Sequence, residues 1–221
     1  MNHRFLPWAK PKRITLLSML IIAGLAVLIF SFREDGDKGA HKKARAATAA
    51  VAVVESDSVL SQQAFLKVYK VFMSPRCMNC HPTGDVPLQG DDSHLHTQGV
   101  QRGAEGKGLY AMKCTNCHQN ANTPGLNMPP GVPDWHLPPS HMKMVFQGKT
   151  ARELAIQITD LQKNDGKTLK DLVAHMKTDL VKWAWAPGEG RSLPPMSYDD
   201  FYNTFKLWID KGAVAPAADA K

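Results

Sequence analysis

The chain carries one five-residue pattern twice, first as Cys77-Met78-Asn79-Cys80-His81 and again as Cys114-Thr115-Asn116-Cys117-His118. The two copies contain all four cysteines of the 221-residue sequence. C-x-x-C-H is the attachment pattern of c-type haem, in which both thiols bond to the haem and the histidine binds the iron as proximal ligand. One helical turn places the two sulfurs along one edge of the porphyrin. The pattern predicts two covalent haem c groups, attached through Cys77, Cys80, Cys114 and Cys117, with His81 and His118 as proximal iron ligands.

Two other kinds of site use paired cysteines at this spacing. Two C-x-x-C pairs separated by about thirty residues occur in zinc ribbons, and each pair alone can form a disulfide or a redox dithiol. Neither kind of site needs a histidine directly after both pairs. The export segment described next also disfavours free thiols, because exported proteins fold in an oxidising compartment. The sequence therefore favours two haems over zinc or disulfides.

A hydrophobic segment near the N-terminus has the length of a membrane-spanning helix. Residues 14–32 form an uncharged run of 19 residues, which is about 28 Å as a helix against the roughly 30 Å of a hydrocarbon core. A cleavable signal peptide has a shorter apolar stretch and a small-residue cleavage site soon after it. The candidate Ala-x-Ala sites, at residues 44–46 and 50–52, lie well beyond the segment. We predict an uncleaved transmembrane anchor, with a cleaved signal as the alternative.

Charge alone does not orient this anchor, because basic residues flank it on both sides. The haem motifs do orient it, since bacterial cytochromes c receive their haem outside the cytoplasmic membrane. We expect residues 1–13 to form a cytoplasmic basic flank. The anchor then crosses the inner membrane, and the chain after residue 32 faces the periplasm.

The formal net charge of +7 comes mainly from the N-terminal part of the chain. Residues 1–45 contain nine Lys or Arg against three Asp or Glu, whereas residues 46–221 contain eighteen against seventeen. Four ionised haem propionates would make the main domain slightly acidic. The charge therefore does not predict nucleic-acid binding, and the basic flank suits an anionic lipid surface.

The rest of the chain divides into a tether, a mainly α-helical domain and a short tail. Residues 33–58 are charged and then rich in Ala and Val, with no aromatic residue, which predicts a tether. The domain at residues 59–213 is expected to open with a helix near Ser58 or Ser61 and to have long irregular loops around the haem motifs. Residues 214–221 are expected to form a flexible tail.

The last third of the domain has clear helix boundaries. Capping boxes at Thr150 and Thr168 predict two helices, the first ending near Lys163 and the second with an apolar face that runs from Leu169 to Leu180. Ser197 is the predicted cap of a third helix, which ends at Gly212. Before these helices, residues 119–139 contain six prolines and predict a stiff strap over the second haem, with Trp135 as a packing residue.

The residue opposite each proximal histidine decides between an electron carrier and an enzyme. The preferred distal candidates are His96, at the end of a polar cluster at residues 90–96, and His175, which follows His118 by 57 residues on a predicted helix. The cluster has two alternatives, a solvated loop or a cation site, and His175 has the alternative of a core position. Met144 is the alternative distal ligand. It follows His118 by only 26 residues, most of them in the strap, which limits how easily the chain can fold over the opposite haem face.

Three stretches extend beyond the five-residue pattern: CMNCHPTGDVPLQGDD from Cys77, GVPDWHLPP from Gly131 and KWAWAPGEGR from Lys182. Through them, the chain from about residue 65 to 213 resembles a family of two-haem c-type proteins known as isoquinoline 1-oxidoreductase subunits. The closing FKLWIDKGA is similar to the last helix of many small cytochromes. The resemblance does not extend to the anchor. It implies a protein that works beside a molybdenum hydroxylase and passes electrons from it to a respiratory acceptor.

Together these features predict a mainly α, dihaem cytochrome c-like domain on a membrane anchor. We expect it to carry electrons between redox partner proteins and to catalyse no reaction itself. The alternatives are a peroxidase-like haem enzyme with one open iron site and a haem-based sensor. A high-spin, five-coordinate haem would indicate the enzyme, whereas a carrier has two low-spin haems.

Overall fold

The computed structural model describes residues 37–218 and residue 220. The predicted basic flank at residues 1–13 and the predicted anchor at residues 14–32 lie outside these residues. Within the described part of the chain, no helix is both long and apolar enough to cross a membrane. Most of the described residues belong to one compact unit that begins at Val54.

Helices provide most of the regular structure, so the prediction of a mainly α fold is confirmed at this level. The helices of the described region are α1 (Asp37–Phe72), α2 (Pro75–Met78), α3 (Ala151–Thr159), α4 (Leu169–His175), α5 (Asp179–Lys182) and α6 (Tyr198–Asp210), with 3-10 turns at Cys114–Asn116 and Trp183–Trp185. Two short antiparallel ribbons lie in the long loops: β1 (Leu88–Gln89) pairs with β2 (His94–Leu95), and β3 (Gly108–Leu109) pairs with β4 (Met112–Lys113).

Helix α1 begins earlier than the sequence predicted. It starts at Asp37 rather than near Ser58 or Ser61, so the described part of the predicted tether is helical. Alanine has the highest helix propensity of all residues, and residues 44–52 are rich in it. The lack of aromatic residues is consistent with a segment that has no hydrophobic core of its own. It does not imply that the backbone is irregular. That residues 33–58 act as a tether stays a prediction.

The hydrophobic core lies where α1, α3 and α6 meet. Phe65 of α1 and Trp208 of α6 are fully buried, with ring centroids 4.6 Å apart, and Leu154 of α3 is fully buried in the same cluster. Burying a large apolar side chain contributes about 1.5–3 kcal/mol, so this cluster fixes how the three helices pack. Ser61 adds a buried polar link, because its Oγ donates to the carbonyl of Trp208 at 3.0 Å.

Both predicted capping boxes are present, but the two helices are shorter than expected. Helix α3 ends at Thr159 because Asp160 is extended. The buried side chain of Asn164 then holds the following turn by donating to the carbonyl of Ile158 at 2.7 Å. Helix α4 ends at His175, and the hydroxyl of Thr178 donates to the carbonyl of His175 at 2.9 Å. Such side-chain bonds compete with helix continuation.

The packed domain extends past the predicted boundary at residue 213. Trp208 Nε1 donates to the carbonyl of Val214 at 3.1 Å, and an Arg152 Nη atom donates to the carbonyl of Pro216 at 2.9 Å. Pro216 is fully buried. The first residues of the predicted flexible tail are thus part of the folded unit.

Candidate functional site

The first motif lies on a single helical turn. Pro75 occupies the start of α2, where the lack of an N–H costs little. The amide of Cys80 donates to the carbonyl of Cys77 at 3.2 Å, and the amide of His81 donates to that of Met78 at 2.9 Å. The turn that the motif requires is therefore formed by its own backbone.

A cavity of about 290 Å³ lies beside this turn, and we call it the first cavity. Cys77, Cys80 and His81 form part of its wall. Most of the remaining wall consists of large apolar side chains of the helical core, among them Phe72, Phe146, Leu172, Met176, Phe201 and Phe205. The first motif thus faces the interior of the helical core.

His81 is held in one orientation by two contacts. Its Nδ1 lies 2.7 Å from the carbonyl oxygen of Met144, and its ring stacks on Phe146 with centroids 3.9 Å apart and planes 6° apart. A carbonyl oxygen only accepts hydrogen bonds, so Nδ1 carries the proton and Nε2 keeps a free lone pair. Burial lowers the pKa of His81 to about 3. The ring is therefore neutral, the form in which imidazole binds metals.

The second motif repeats this arrangement with different partners. The amide of His118 donates to the carbonyl of Cys114 at 2.9 Å, which closes a turn at Cys114–Asn116. His118 Nδ1 lies 2.7 Å from the carbonyl oxygen of Pro130, and its ring stacks on Trp135 with centroids 4.5 Å apart and planes 4° apart. Burial lowers the pKa of His118. The proline-rich strap supplies both partners, and again Nε2 is left free.

Asn122 ties this strap to the last third of the domain. Its Oδ1 accepts from the amide of Gly131 at 2.9 Å and from Trp183 Nε1 at 2.9 Å, and its Nδ2 donates to the carbonyl of Ala186 at 2.8 Å. Gly131 directly follows the residue whose carbonyl holds His118. Asn122 therefore fixes the position of that carbonyl.

A larger cavity of about 870 Å³, the second cavity, lies beside His118. His96 lines it together with Cys114 and Cys117, and the ring centroids of His96 and His118 are 6.2 Å apart. Two imidazoles that bind one metal at about 2 Å have ring centres roughly 6 Å apart. Nδ1 of His96 is buried and has no hydrogen-bond partner among the described residues. The distance between the two rings thus suits two imidazoles that bind one metal from opposite sides.

The structure places His175 and Met144 at the first cavity rather than at the second. The sequence argument counted both residues from His118, and their role as iron ligands stays a prediction. His175 is the last residue of α4, which packs beside the first motif. Met144 supports His81 through its carbonyl, and its sulfur accepts from Gln157 Nε2 at 3.2 Å. Its φ of 45° is unusual for a non-glycine residue, a kind of strain that is common at functional sites.

The thiols of the first motif do not have the character of a redox dithiol. None of the four cysteines forms a disulfide. Burial raises the pKa of Cys77 to about 12 and that of Cys80 to about 11, and it also raises the pKa of Cys114. Reactive dithiols have lowered pKa values. The protonated thiols of Cys77 and Cys80 instead fit a site at which a hydrophobic group becomes attached.

A bare-metal site is not formed in the described part of the chain. Its His, Cys, Asp and Glu side chains form no group of three or more that could hold a metal ion. The cysteines divide between the cavities, with Cys77 at the first, Cys114 and Cys117 at the second, and Cys80 in the wall of both. In the polar cluster, Asp92 and His94 pair with each other at the surface. The side chains present thus fit two c-type haems better than a zinc ribbon.

Sequence reasoning missed three features of the site. Phe146 and Trp135 stack on the two proximal histidines, and Trp135 was expected only as a packing residue. Asn122 was not singled out, and Arg76 was noted only as the basic residue before the first motif. The sequence offered no common spacing for these contacts, because the carbonyl that holds His81 lies 63 residues after it and the one that holds His118 lies 12 residues after it.

Comparisons of the chain with protein-family models, with curated proteins and with solved structures found no match.

Proposed function

We propose that this protein is a dihaem c-type cytochrome that transfers electrons. The observation that carries the proposal is the repeated support of the motif histidines. In each copy, Nδ1–H donates a hydrogen bond to a backbone carbonyl and an aromatic ring stacks on the imidazole, so that only Nε2 is available to an iron. Two unrelated segments provide the same support, which is difficult to explain by core packing alone.

The structure favours His96 as the second ligand beside His118 and His175 as the second ligand beside His81. The 6.2 Å spacing of the rings supports the first assignment. The second rests on the position of His175 in the first cavity, where burial lowers its pKa and so keeps the ring neutral. With two histidines bound, neither iron would keep an open site for substrate. This favours an electron carrier over a haem enzyme or a sensor.

Bound haem supplies one-electron chemistry between the ferric and ferrous states of its iron. The chain holds the motif histidines in one tautomer, provides four thiols for attachment and lines the first cavity mainly with apolar side chains. Cys80 lies in the walls of both cavities, so groups bound in them are neighbours. Neighbouring haems allow an electron to pass from one to the other within the domain.

The cellular setting of the proposal rests on the sequence. The segment at residues 14–32 would anchor the domain to the inner membrane, with the domain in the periplasm. The family resemblance adds a molybdenum hydroxylase as electron donor and a respiratory protein as acceptor. Detergent-solubilised, affinity-purified protein should then contain molybdenum by elemental analysis, and its N-terminal peptide should be intact. Mature protein that starts near residue 46 or 53 would show a cleaved signal instead.

The haem content can be tested on the protein matured in a host that attaches haem c. Mass spectrometry after denaturation should show two added haem masses, and electron paramagnetic resonance should show two low-spin ferric signals. Apoprotein with bound zinc would contradict the proposal. One high-spin haem with peroxide turnover would favour the enzyme.

A further inference from the structure

The wall between the two cavities contains one buried cation. Arg76, Cys80 and Trp183 line both cavities, and of these three only Arg76 is charged. The side chain of Arg76 is 3% exposed. Burial lowers its pKa, but a guanidinium with an ordinary pKa above about 12 stays protonated at neutral pH. A full positive charge therefore lies between the two cavities.

Arg76 has an unused donor in this position. One Nη atom donates to Asp91 Oδ1 at 2.5 Å and to the carbonyl of Gly90 at 3.4 Å. Its Nε is buried and has no hydrogen-bond partner among the described residues. The other oxygen of Asp91 accepts from the amide of Ser192 at 2.9 Å and forms no hydrogen bond with Nε. A buried N–H without an acceptor costs about 1–3 kcal/mol, which a bound acceptor would recover.

The other fully buried arginine does not share these features. Nε of Arg102 also lacks a hydrogen bond, but it lies 3.5 Å from Asp85 Oδ1. The Nη atoms of Arg102 donate to the carbonyls of Pro138 at 2.6 Å and Gly84 at 3.1 Å. Arg102 lines neither cavity. Arg102 therefore holds the loops together. Arg76 is the arginine with a buried side chain that lines both cavities.

Haem c brings carboxylates that match this donor. Each haem carries two propionates, and a carboxylate that is buried needs charge-assisted hydrogen bonds. The second cavity offers the guanidinium groups of Arg76 and Arg191. Given the two-haem function proposed above, we propose that Nε of Arg76 binds a propionate of the haem in the second cavity, and that the charge of Arg76 raises the reduction potentials of both haems.

The charge part of this proposal is tested by redox titration of matured Arg76→Gln and Asp91→Asn proteins. Removing a nearby positive charge favours the ferric state, so Arg76→Gln lowers both midpoint potentials. A tenfold change in each reduction equilibrium corresponds to 59 mV for one electron. Asp91→Asn removes a negative charge beside Arg76 and keeps the cation, so it raises the potentials. A merely structural role, in which both variants loosen the same loop, would move the potentials in the same direction.

The binding part is tested with Arg76→Lys, which keeps the charge but loses Nε. Reduced-minus-oxidised infrared spectra of protein with isotope-labelled propionates should show a shifted carboxylate band in this variant, with potentials close to those of wild type. Arg152→Gln is the matched control, because Arg152 also donates to a backbone carbonyl but lines neither cavity. It should change neither measurement.

Each outcome bears on the proposal. Unchanged potentials in Arg76→Gln, or an unshifted carboxylate band in Arg76→Lys, overturn it. If Arg76→Gln does not take up haem, Asp91→Asn decides: raised potentials support the proposal and unchanged or lowered ones contradict it. A wild-type protein without covalent haem would instead refute the function on which the proposal rests, so the two failures can be told apart.

Discussion

Each cavity has one copy of the motif in its wall, but the rest of the wall differs between the two cavities. The first has a volume of about 290 Å³ and is walled by helices, with side chains from α1, α3, α4 and α6. The second is about 870 Å³ and is walled mainly by loops, including the β1–β2 ribbon and the proline-rich strap. The proximal support is nevertheless the same in both. A backbone carbonyl and a stacked aromatic ring therefore hold the motif histidine in both kinds of surroundings.

The difference in surroundings predicts a difference in potential. The ferric state carries one more positive charge than the ferrous state, and apolar surroundings disfavour charge. The wall of the first cavity is mainly apolar, with Arg76, Asp165 and Lys167 as its charged residues, and would favour a ferrous haem. The wall of the second cavity has more charged side chains and more polar loop residues. With histidine on both sides of both irons, we expect both potentials to be low and the first haem to have the higher one.

Loss of a distal ligand has the largest expected effect. His175→Ala should make only the first haem high-spin, and His96→Ala only the second, because each removes an entire axial bond. Electron paramagnetic resonance at poised potentials identifies the affected haem, since the first haem is reduced at the higher potential. Met144→Ala should leave both haems low-spin.

His136 provides the control for this assignment. It also lines the first cavity, but its side chain is 34% exposed and its Nδ1 contacts the carbonyl of Asp134 at 2.6 Å. His136→Ala should leave both haems low-spin. If His136→Ala makes the first haem high-spin and His175→Ala does not, the distal ligand is His136 and our assignment is wrong. Loss of a red-edge charge-transfer band in Met144→Ala would assign methionine.

The next effect concerns a core residue that lines only the first cavity, and it should lower the stability of the protein. Phe72 is buried against Phe146, Phe201 and Phe205, with ring centroids 5.2–6.3 Å apart. Phe72→Ala should reduce the free energy of unfolding by about 3–5 kcal/mol. Because Phe146 stacks on His81, the spectrum of the first haem should change and that of the second should not. Denaturant titration and optical spectra measure both, and Leu126→Ala, at a side chain that is 71% exposed, should have almost no effect.

The sequence predicted the local features of the molecule and not those that depend on long-range packing. The motifs, the capping boxes at Thr150 and Thr168 and the helix after Ser197 are local patterns, and the structure has all of these features. The placement of His175 and Met144 at the first cavity is not local, because it depends on how α4 packs against the helical core. Counting residues from His118 could not provide it. The same holds for Arg76, whose position between two cavities follows only from the assembled loops.

A smaller effect tests the strap of the second cavity. Asn122→Ala removes three hydrogen bonds and leaves the Trp183 N–H without its acceptor, so we expect a loss of about 1–3 kcal/mol. The spectrum of the second haem should change as the carbonyl of Pro130 loses its fixed position. Asn116→Ala is the control, because Asn116 lies inside the motif but donates only to the carbonyl of Ala111. Equal changes at both haems would argue against this role.

The smallest effect compares two similar caps. Thr150 caps α3 and Thr168 caps α4, each in a capping box, and replacing such a threonine by alanine costs about 1 kcal/mol. Only α4 ends at a proposed iron ligand, and it is only 7 residues long, so loosening its first turn also loosens His175. An external ligand such as carbon monoxide must wait for this histidine to dissociate from the ferrous haem. Thr168→Ala should therefore speed carbon monoxide binding at the first haem, up to about fivefold if the whole 1 kcal/mol appears in that step. Thr150→Ala should lower stability equally and leave the rate unchanged. Equal rates in the two variants, measured by stopped flow, would show that α4 does not hold the ligand of the first haem.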